Sequence, residues 1–327
     1  MAKVSVIIPS YDGARWIGEA IDSVLDQTHR DTEIIVVTDG STDDTPAVLA
    51  RYGDRVIHIP QQNSGPAVAR NTGIRAATGE YIALLDDDDL WLPDKLEAQL
   101  AVLERDREIG VVFSDYAPFG EPAGYARGLE RGPVLRRIPH EPVGPDAYKL
   151  PESIFAELLQ DLFSWTSTLV VRRGCFDRAG LYDETLRHAA EDWQMCLRLS
   201  RHCRFAYLDR VLARRRERGG SLSRQGRDTL EAIRALKNLA RREPLTRAER
   251  LMVIRKAGDL YRSLGYAAHL DYDAPRARGH FLRSLGCDLA LLARLGKPGK
   301  PLASLAYGLS TFLPPRLIRG IRALKNI

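Results

Sequence analysis

Cysteine is scarce in this chain of 327 residues: Cys175, Cys196, Cys203 and Cys287 stand apart, with no CxxC pair and no histidine at zinc-ligand spacing. That excludes a structural zinc site and leaves reduced thiols as the expectation. Long apolar runs are missing too. Residues 302–313 carry no charge, but they fall short of the roughly 20 apolar residues that a membrane span needs. At the N-terminus the apolar run 4–8 is stopped by Pro9 before it could serve as a secretory core, so a cytosolic location is expected. Nor is there any interleaving of aromatics with the basic C-terminal residues, which argues against nucleic acid as a partner.

What is present fits an ordinary globular protein, 44% hydrophobic and 28% charged, with enough length for a large domain plus a second, smaller region. The net charge of +5 hides an asymmetry. Residues 1–212 carry 23 basic and 34 acidic side chains, and the remainder carries 25 basic and 9 acidic. A basic tail on an acidic body points to an anionic surface as a partner.

Strand-like and helix-like segments alternate through the first half. Residues 4–8, 34–37, 56–59, 81–85 and 111–113 are short β-rich runs bounded by turn residues. Between the first two, Trp16, Ile17, Ala20, Ile21, Val24 and Leu25 recur at helical spacing, and further helices are expected up to Leu49, over 66–77 and over 94–105. Such alternation predicts an α/β fold with a mostly parallel sheet covered by helices on both faces, and a ligand crevice beyond the carboxyl ends of the strands. Residues 117–150 are rich in Pro and Gly without a sustained period, and read as an irregular insertion that would serve as a lid. A helix over 152–162, a strand over 168–171, a helix containing Glu191-Asp192-Trp193 and late strands at 205–208 and 211–213 follow. Strand signals vanish from Thr229 onward, so the division is expected near residue 225: a catalytic domain over 1–225 and a basic helical region over 226–327.

The chain's most informative stretch is 81–91, where Tyr81-Ile82-Ala83-Leu84-Leu85 runs into Asp86, Asp87, Asp88 and Asp89. Four adjacent carboxylates repel one another, and hard divalent ions such as Mg²⁺ or Mn²⁺ take one or two carboxylates together with phosphates and water. Asp86 and Asp88 are the candidate metal ligands. A calcium loop of the EF-hand kind is excluded, since its sixth position must be Gly and here is Trp91.

Five segments together resemble the inverting, nucleotide-sugar-dependent glycosyltransferases of family 2, with the GT-A fold. They are Val4-Ser5-Val6-Ile7-Ile8-Pro9-Ser10-Tyr11, Val37-Thr38-Asp39-Gly40-Ser41-Thr42-Asp43, Ala69-Arg70-Asn71-Thr72-Gly73, the stretch from Gly79 to Trp91, and Glu191-Asp192-Trp193. The resemblance implies that Pro9 and Tyr11 line the base of a nucleotide-sugar donor and that Asp39 accepts a hydrogen bond from it. It places Arg70 near the nucleotide and Asp87 near the ribose or sugar. It makes Asp86 to Asp88 a DxD motif for Mn²⁺ or Mg²⁺, with Asp88 the firmest ligand, and Asp192 the catalytic base. The acceptor it implies is a glycan or lipid-linked glycan of the cell envelope or an exopolysaccharide. Two departures stand out. Thr38 replaces a second acid often found before Asp39, and Arg215-Arg216-Glu217-Arg218 stands where the family often has Tyr-Arg-x-His, leaving Arg216 and Arg218 to hold the diphosphate. Two other readings are a sugar-nucleotide pyrophosphorylase, whose Gly-rich phosphate loop Pro9-Ser10-Tyr11-Asp12-Gly13 does not supply, and a non-catalytic nucleotide-sugar-binding module. Trp16 and Trp193 are expected in the core and His188 at the surface.

At the C-terminus, Leu317, Ile318, Ile321 and Leu324 share one helical face and Arg316, Arg319, Arg322 and Lys325 lie elsewhere. That pattern suits a helix lying in a membrane interface, and equally a helix docked on the catalytic domain. On the first reading the protein sits peripherally on the inner face of the plasma membrane. Flotation with anionic liposomes should then carry the full chain, and deleting 301–327 should abolish it; binding that survives the deletion removes the membrane reading.

Overall fold

The computed structural model describes residues 3–120, 134–217, 228–271 and 273–295. Contacts divide the chain into two units, 1–228 and 229–327. The first is built on a sheet that is ten-stranded among the described residues. Its strands are β1 (Val4–Ser10), β2 (Thr32–Asp39), β3 (Ile57–Gln61), β4 (Tyr81–Leu84), β5 (Leu90–Trp91), β6 (Ile109–Gly120), β7 (Glu141–Gly144), β8 (Ala147–Lys149), β9 (Val170–Arg172) and β10 (Arg204–Glu217). They lie in the order β3-β2-β1-β4-β9-β6-β10-β8-β7, with β5 paired to β10.

β1 shows why this sheet is buried on both faces. Val4, Val6 and Ile8 join one core with Ile17, Ala20, Ile21 and Val24 of helix α1 (Ile17–Leu25). Ile7, one residue out of phase, points the other way and meets Gly73 of a second helix. A strand buried at nearly every position is the mark of a parallel strand with helices above and below. Strands β2 and β4 flank β1 in parallel, so the loops after all three open at the same sheet end. The helices of this unit continue with α2 (Thr45–Ala50), α3 (Pro66–Ala76), α4 (Lys95–Arg105), α5 (Phe155–Gln160), α6 (Arg173–Ala179) and α7 (Glu191–His202).

Three features differ from the sequence expectation. β9 enters antiparallel between β4 and β6, so the run of parallel strands is interrupted where continuity was expected. The stretch 134–150 is not irregular throughout: β7 and β8 form a hairpin on the sheet edge, turning at Asp146 with φ +54°. The two late strands are one, β10, fourteen residues long, with register breaks at Leu208/Val211 and Val211/Ala213.

The second unit holds α8 (Asp228–Arg242), α9 (Arg247–Leu270) and α10 (Ala274–Leu295). A capping box opens α9, with Thr246 accepting from the Glu249 amide and Glu249 from the Thr246 amide. Gly265 lets the Phe281 ring of α10 approach, since a Cβ there would stand 2.8 Å from it. No helix among the described residues is long and apolar enough to cross a membrane. The tail 301–327 lies outside them.

The α3–β1 contact is closely packed. A Cβ on Gly73 would come within 2.4 Å of Ile7 Cγ2. Gly73→Ala should therefore destabilise the first unit by about 1–3 kcal/mol, as overpacking does. A lowered urea midpoint checks this, and an unchanged one contradicts the close packing.

Candidate functional site

The crevice is assembled by short polar side chains that stitch the strand-end loops together. After β1, the Asp12 amide donates to Ser41 Oγ (3.1 Å) and Asp12 Oδ1 accepts from the Thr42 amide (2.7 Å). Asp43 Oδ2 accepts from the Ala14 amide (2.9 Å), which locks the loop after β2 onto the loop after β1. Ser10 donates to Asp87 Oδ2 at 2.5 Å, joining β1 to the acidic loop. Gly13 permits that approach, because a Cβ there would lie 2.2 Å from the same oxygen.

Pro9 is half-buried at the end of β1, and Tyr11 is 54% exposed, an aromatic ring open to solvent at the mouth. Asp39 is buried. Its Oδ1 accepts from Gln61 Nε2 (2.7 Å) and the Ser64 amide (2.8 Å), and its Oδ2 from the Gly65 amide (2.7 Å). With three bonds accepted, one lone pair is left for a ligand.

Arg70 of α3 is 5% exposed and sits between two carboxylates. Nη2 donates to Asp86 Oδ1 at 2.8 Å and Nη1 to Glu191 Oε1 at 2.7 Å. Burial alone would lower its pKa, but Asp86 and Glu191 hold the guanidinium charged, above its usual value. Arg70 thus ties the acidic loop to the first turn of α7, 121 residues later in the chain.

The four aspartates of the loop separate by role. Asp86 and Asp88 are half-buried. Asp87 takes the Ser10 hydroxyl. Asp89 is buried, its Oδ2 accepting from Ser167 Oγ (2.6 Å) and Trp165 Nε1 (3.0 Å) and its Oδ1 from the Arg216 amide (2.9 Å). Burial first, then the charges of Asp88 and Asp86, push Asp89 up to about 7. Beneath the loop, buried Lys95 donates to Gln99 Oε1 (2.6 Å), with its Nζ 4.1 Å from the Trp91 ring centre. Burial drives the Lys95 pKa well below its usual value.

Arg216 is drawn into this scaffold. Its Nε donates to the Asp88 carbonyl (3.0 Å) and its Nη2 to Glu19 (2.7 Å), while the guanidinium carbon lies 4.0 Å from the Trp16 ring centre and 4.3 Å from that of Phe119. Trp16, expected in the core, is only half-buried and serves as this platform. Trp193 is buried, its Nε1 donating to the Leu158 carbonyl, and His188 is exposed. Arg218 lies outside the described residues.

Asp192 is half-buried in the first turn of α7, and its Oδ1 accepts from the Trp193 amide (2.6 Å). Burial, then the neighbouring Glu191 carboxylate, raise it to about 7, with a further push from Asp86. Ala190, immediately before, is held at φ +66°, a left-handed conformation costly for a residue with a Cβ and typical of functional sites.

Among the described residues no cluster of three His, Cys, Asp or Glu side chains forms a protein-only metal site. Asp86 and Asp88 instead offer two half-exposed carboxylates, which fits a Mg²⁺ or Mn²⁺ ion whose shell is completed by phosphates and water. Glu191, Asp89, Ser10, Ser167 and Lys95 were not singled out from sequence. Only Asp89 and Glu191 carried a signal, as neighbours of singled-out acids.

Residues 5–161 match the family model Glycosyl transferase family 2. An uncharacterized glycosyltransferase of Rickettsia typhi is 36% identical over 200 residues, 60% of this chain and 59% of that protein. The putative teichuronic acid biosynthesis glycosyltransferase TuaG of Bacillus subtilis is 45% identical over 118 residues, 35% of this chain and 46% of that protein. The chain thus spans about half the length of these two relatives, 59% of one and 46% of the other, and 22% of another from Rickettsia felis. In fold, S. aureus TarS 1–349 in complex with UDP-GlcNAc superposes with a TM-score of 0.70 at 18% identity, covering 95% of this chain and 89% of that one. The mannosyltransferase PcManGT of Pyrobaculum calidifontis, in complex with GDP-Man and Mn²⁺, gives 0.57 at 20%, covering 98% and 84%. These two likenesses establish the fold.

A carboxylate raised to about 7 costs stability when ionised. The native state holds its proton between about pH 4 and 7 while the unfolded chain has released it, so the cost grows over that window and levels off above it. Asp192→Asn should therefore stabilise the protein by about 1–4 kcal/mol at pH 8 and by little at pH 4. Melting temperatures at the two pH values check this; a gain independent of pH contradicts a raised Asp192.

Proposed function

We propose, from the premise that residues 5–161 belong to glycosyl transferase family 2, that this chain is a metal-dependent inverting glycosyltransferase. It moves a sugar from a nucleotide diphosphate, most simply UDP, to a hydroxyl of a glycan or lipid-linked glycan. The observation that carries the reading is the Arg70 bridge, which sets a carboxylate poised near neutral pH beside the acidic loop at the sheet's carboxyl end.

In this mechanism Pro9 and Tyr11 face the base, and the remaining acceptor capacity of Asp39 selects its N–H edge. Asp86 and Asp88 would hold the divalent ion, which when bound neutralises charge on the departing diphosphate. Asp192 takes the proton of the acceptor hydroxyl as its oxygen attacks the anomeric carbon, and the bond to the diphosphate breaks on the opposite side. One displacement inverts the anomeric centre. A base with a pKa near the working pH is well suited to this transfer. Arg216 steadies the loop through the Asp88 carbonyl, and Arg218 remains a candidate for the diphosphate. The donor and metal bound by TarS and PcManGT support a nucleotide-sugar and Mn²⁺ here, and the name of TuaG supports an envelope glycan as product. The work is assigned to the cytoplasmic membrane face, with 301–327 as the peripheral anchor.

Two measurements test this. In a thermal-shift series UDP should raise the melting temperature more with Mn²⁺ than without, and Asp88→Ala should erase the difference. With donor and acceptor, kcat should fall below pH 7 as Asp192 takes up a proton, and Asp192→Asn should lose about 10²- to 10⁴-fold in kcat while still binding nucleotide. An Asn variant with full turnover, or wild-type protein that binds nucleotide-sugars but transfers from none, defeats the proposal.

A further inference from the structure

Two of the four cysteines meet at the C-terminal end of α7. Cys175 lies within α6, and Cys203 follows the last residue of α7, its amide donating to the Leu199 carbonyl at 2.8 Å. Both are buried, Cys203 at 7% exposure. The exposed Arg178 covers them, its Nη2 3.3 Å from Cys175 Sγ and 3.2 Å from Cys203 Sγ, with its Nε donating to the His202 carbonyl at 3.3 Å. Gly110 of β6 leaves the floor beneath them open: a Cβ there would stand 2.5 Å from Cys175 Sγ and 3.5 Å from Cys203 Sγ. Both sulfurs therefore crowd one spot, beneath one guanidinium.

We propose that Cys175 and Cys203 are a peroxide-oxidisable dithiol that closes to a reversible disulfide between α6 and the C-terminal end of α7. The Cys203 thiolate attacks one oxygen of hydrogen peroxide; the S–O bond forms, the O–O bond breaks, and the departing hydroxide leaves as water after taking a proton. The Cys175 sulfur then attacks the Cys203 sulfenic acid. The S–S bond forms, the S–O bond breaks, and the proton of Cys175 leaves with the hydroxyl as a second water. Two thiols are oxidised and one peroxide is reduced to two waters.

The chemistry is directed to this pair. The Cys175 thiol, hydrogen-bonded to Cys203, and then Arg178 lower the Cys203 pKa to about 7 against the effect of burial, while Cys175 is raised in turn. Thiolate, not thiol, is the reactive form. Burial pushes Cys196 up to about 12 and raises Cys287, which protects both. The inference is independent of the sugar-transfer reading, and its test uses no substrate.

The full chain is treated with a few equivalents of hydrogen peroxide at pH 7 and mapped by mass spectrometry without reduction. Thiols counted in denaturant should fall from four to two, a Cys175–Cys203 peptide cross-link should appear, and dithiothreitol should remove it. Cys175→Ser should instead leave a sulfenic acid on Cys203 that dimedone traps. Arg178→Gln, at the surface, should slow oxidation about tenfold by restoring a more ordinary thiol. The proposal is overturned if four thiols survive a peroxide level that oxidises free cysteine. It is equally overturned if Cys196 or Cys287 reacts first, if Cys203 goes to the sulfinic acid without a cross-link, or if Arg178→Gln reacts at the wild-type rate.

Discussion

The site depends on one buried cation. Arg70 is almost wholly withdrawn from water; its Nε has no hydrogen-bond partner among the described residues, and the ion pairs to Asp86 and Glu191 hold it with its guanidinium carbon 5.6 Å from the Tyr182 ring centre. Removing one member of such a buried set leaves an uncompensated charge in a medium that solvates it poorly, which costs more than the pair contributes net. The geometry is thereby fixed between segments that share no strand pairing. The helix that carries Arg70 begins beside Gly65, whose φ of +95° and missing Cβ let the Arg187 carbonyl approach, so the segment preceding α7 is pressed against the start of α3.

Around that bridge the aspartates divide between architecture and chemistry. Asp12, Asp43 and Asp87 spend oxygens on neighbouring loops, and Asp89 spends both of its oxygens on Ser167, Trp165 and Arg216. Loops fixed in this way need little reordering when a ligand arrives, which is what preorganisation requires. Asp86 and Asp88 keep partial exposure. The acidic run is therefore not four equivalent ligands: Asp89 is a buried anchor, while Asp86, Asp87 and Asp88 are half-buried, Asp86 tied to Arg70 and Asp87 to Ser10.

Much of this was legible because it is local. α1 and α4 announce themselves through periodicity, β1 through a β-rich run ended by turn residues, α3 through Gly65-Pro66 at its start, and the strand-to-loop switch at Leu85 through a change from apolar to acidic. What required long-range pairing was not. A strand was expected over 168–171, where β9 lies, but not its antiparallel place between β4 and β6, and β5, two residues long, shows no period that distinguishes it from loop. The hairpin at 141–149 has too few residues per strand to alternate visibly. Asp39 and Asp86 fall at one sheet end, as their positions after strands suggested, whereas Asp192 was singled out only through the family resemblance, and the partners of Arg70 and Arg216 could not be read from spacing. Arg216, expected to hold a diphosphate, has its guanidinium against Glu19, the Asp88 carbonyl and two aromatic rings, none of them readable from spacing.

The bridge also distinguishes between two adjacent carboxylates at the start of α7. Glu191 is bound by Arg70 at 2.7 Å, so taking a proton there would break the ion pair that holds the crevice together. Asp192 accepts only from the amide of the next residue, and the Glu191 charge beside it raises its proton affinity. A pair of neighbouring acids whose surroundings push them apart is how proteins assign one to structure and the other to proton transfer. On the reading proposed above, Glu191 is then the member tied to the structure and Asp192 the candidate for proton transfer.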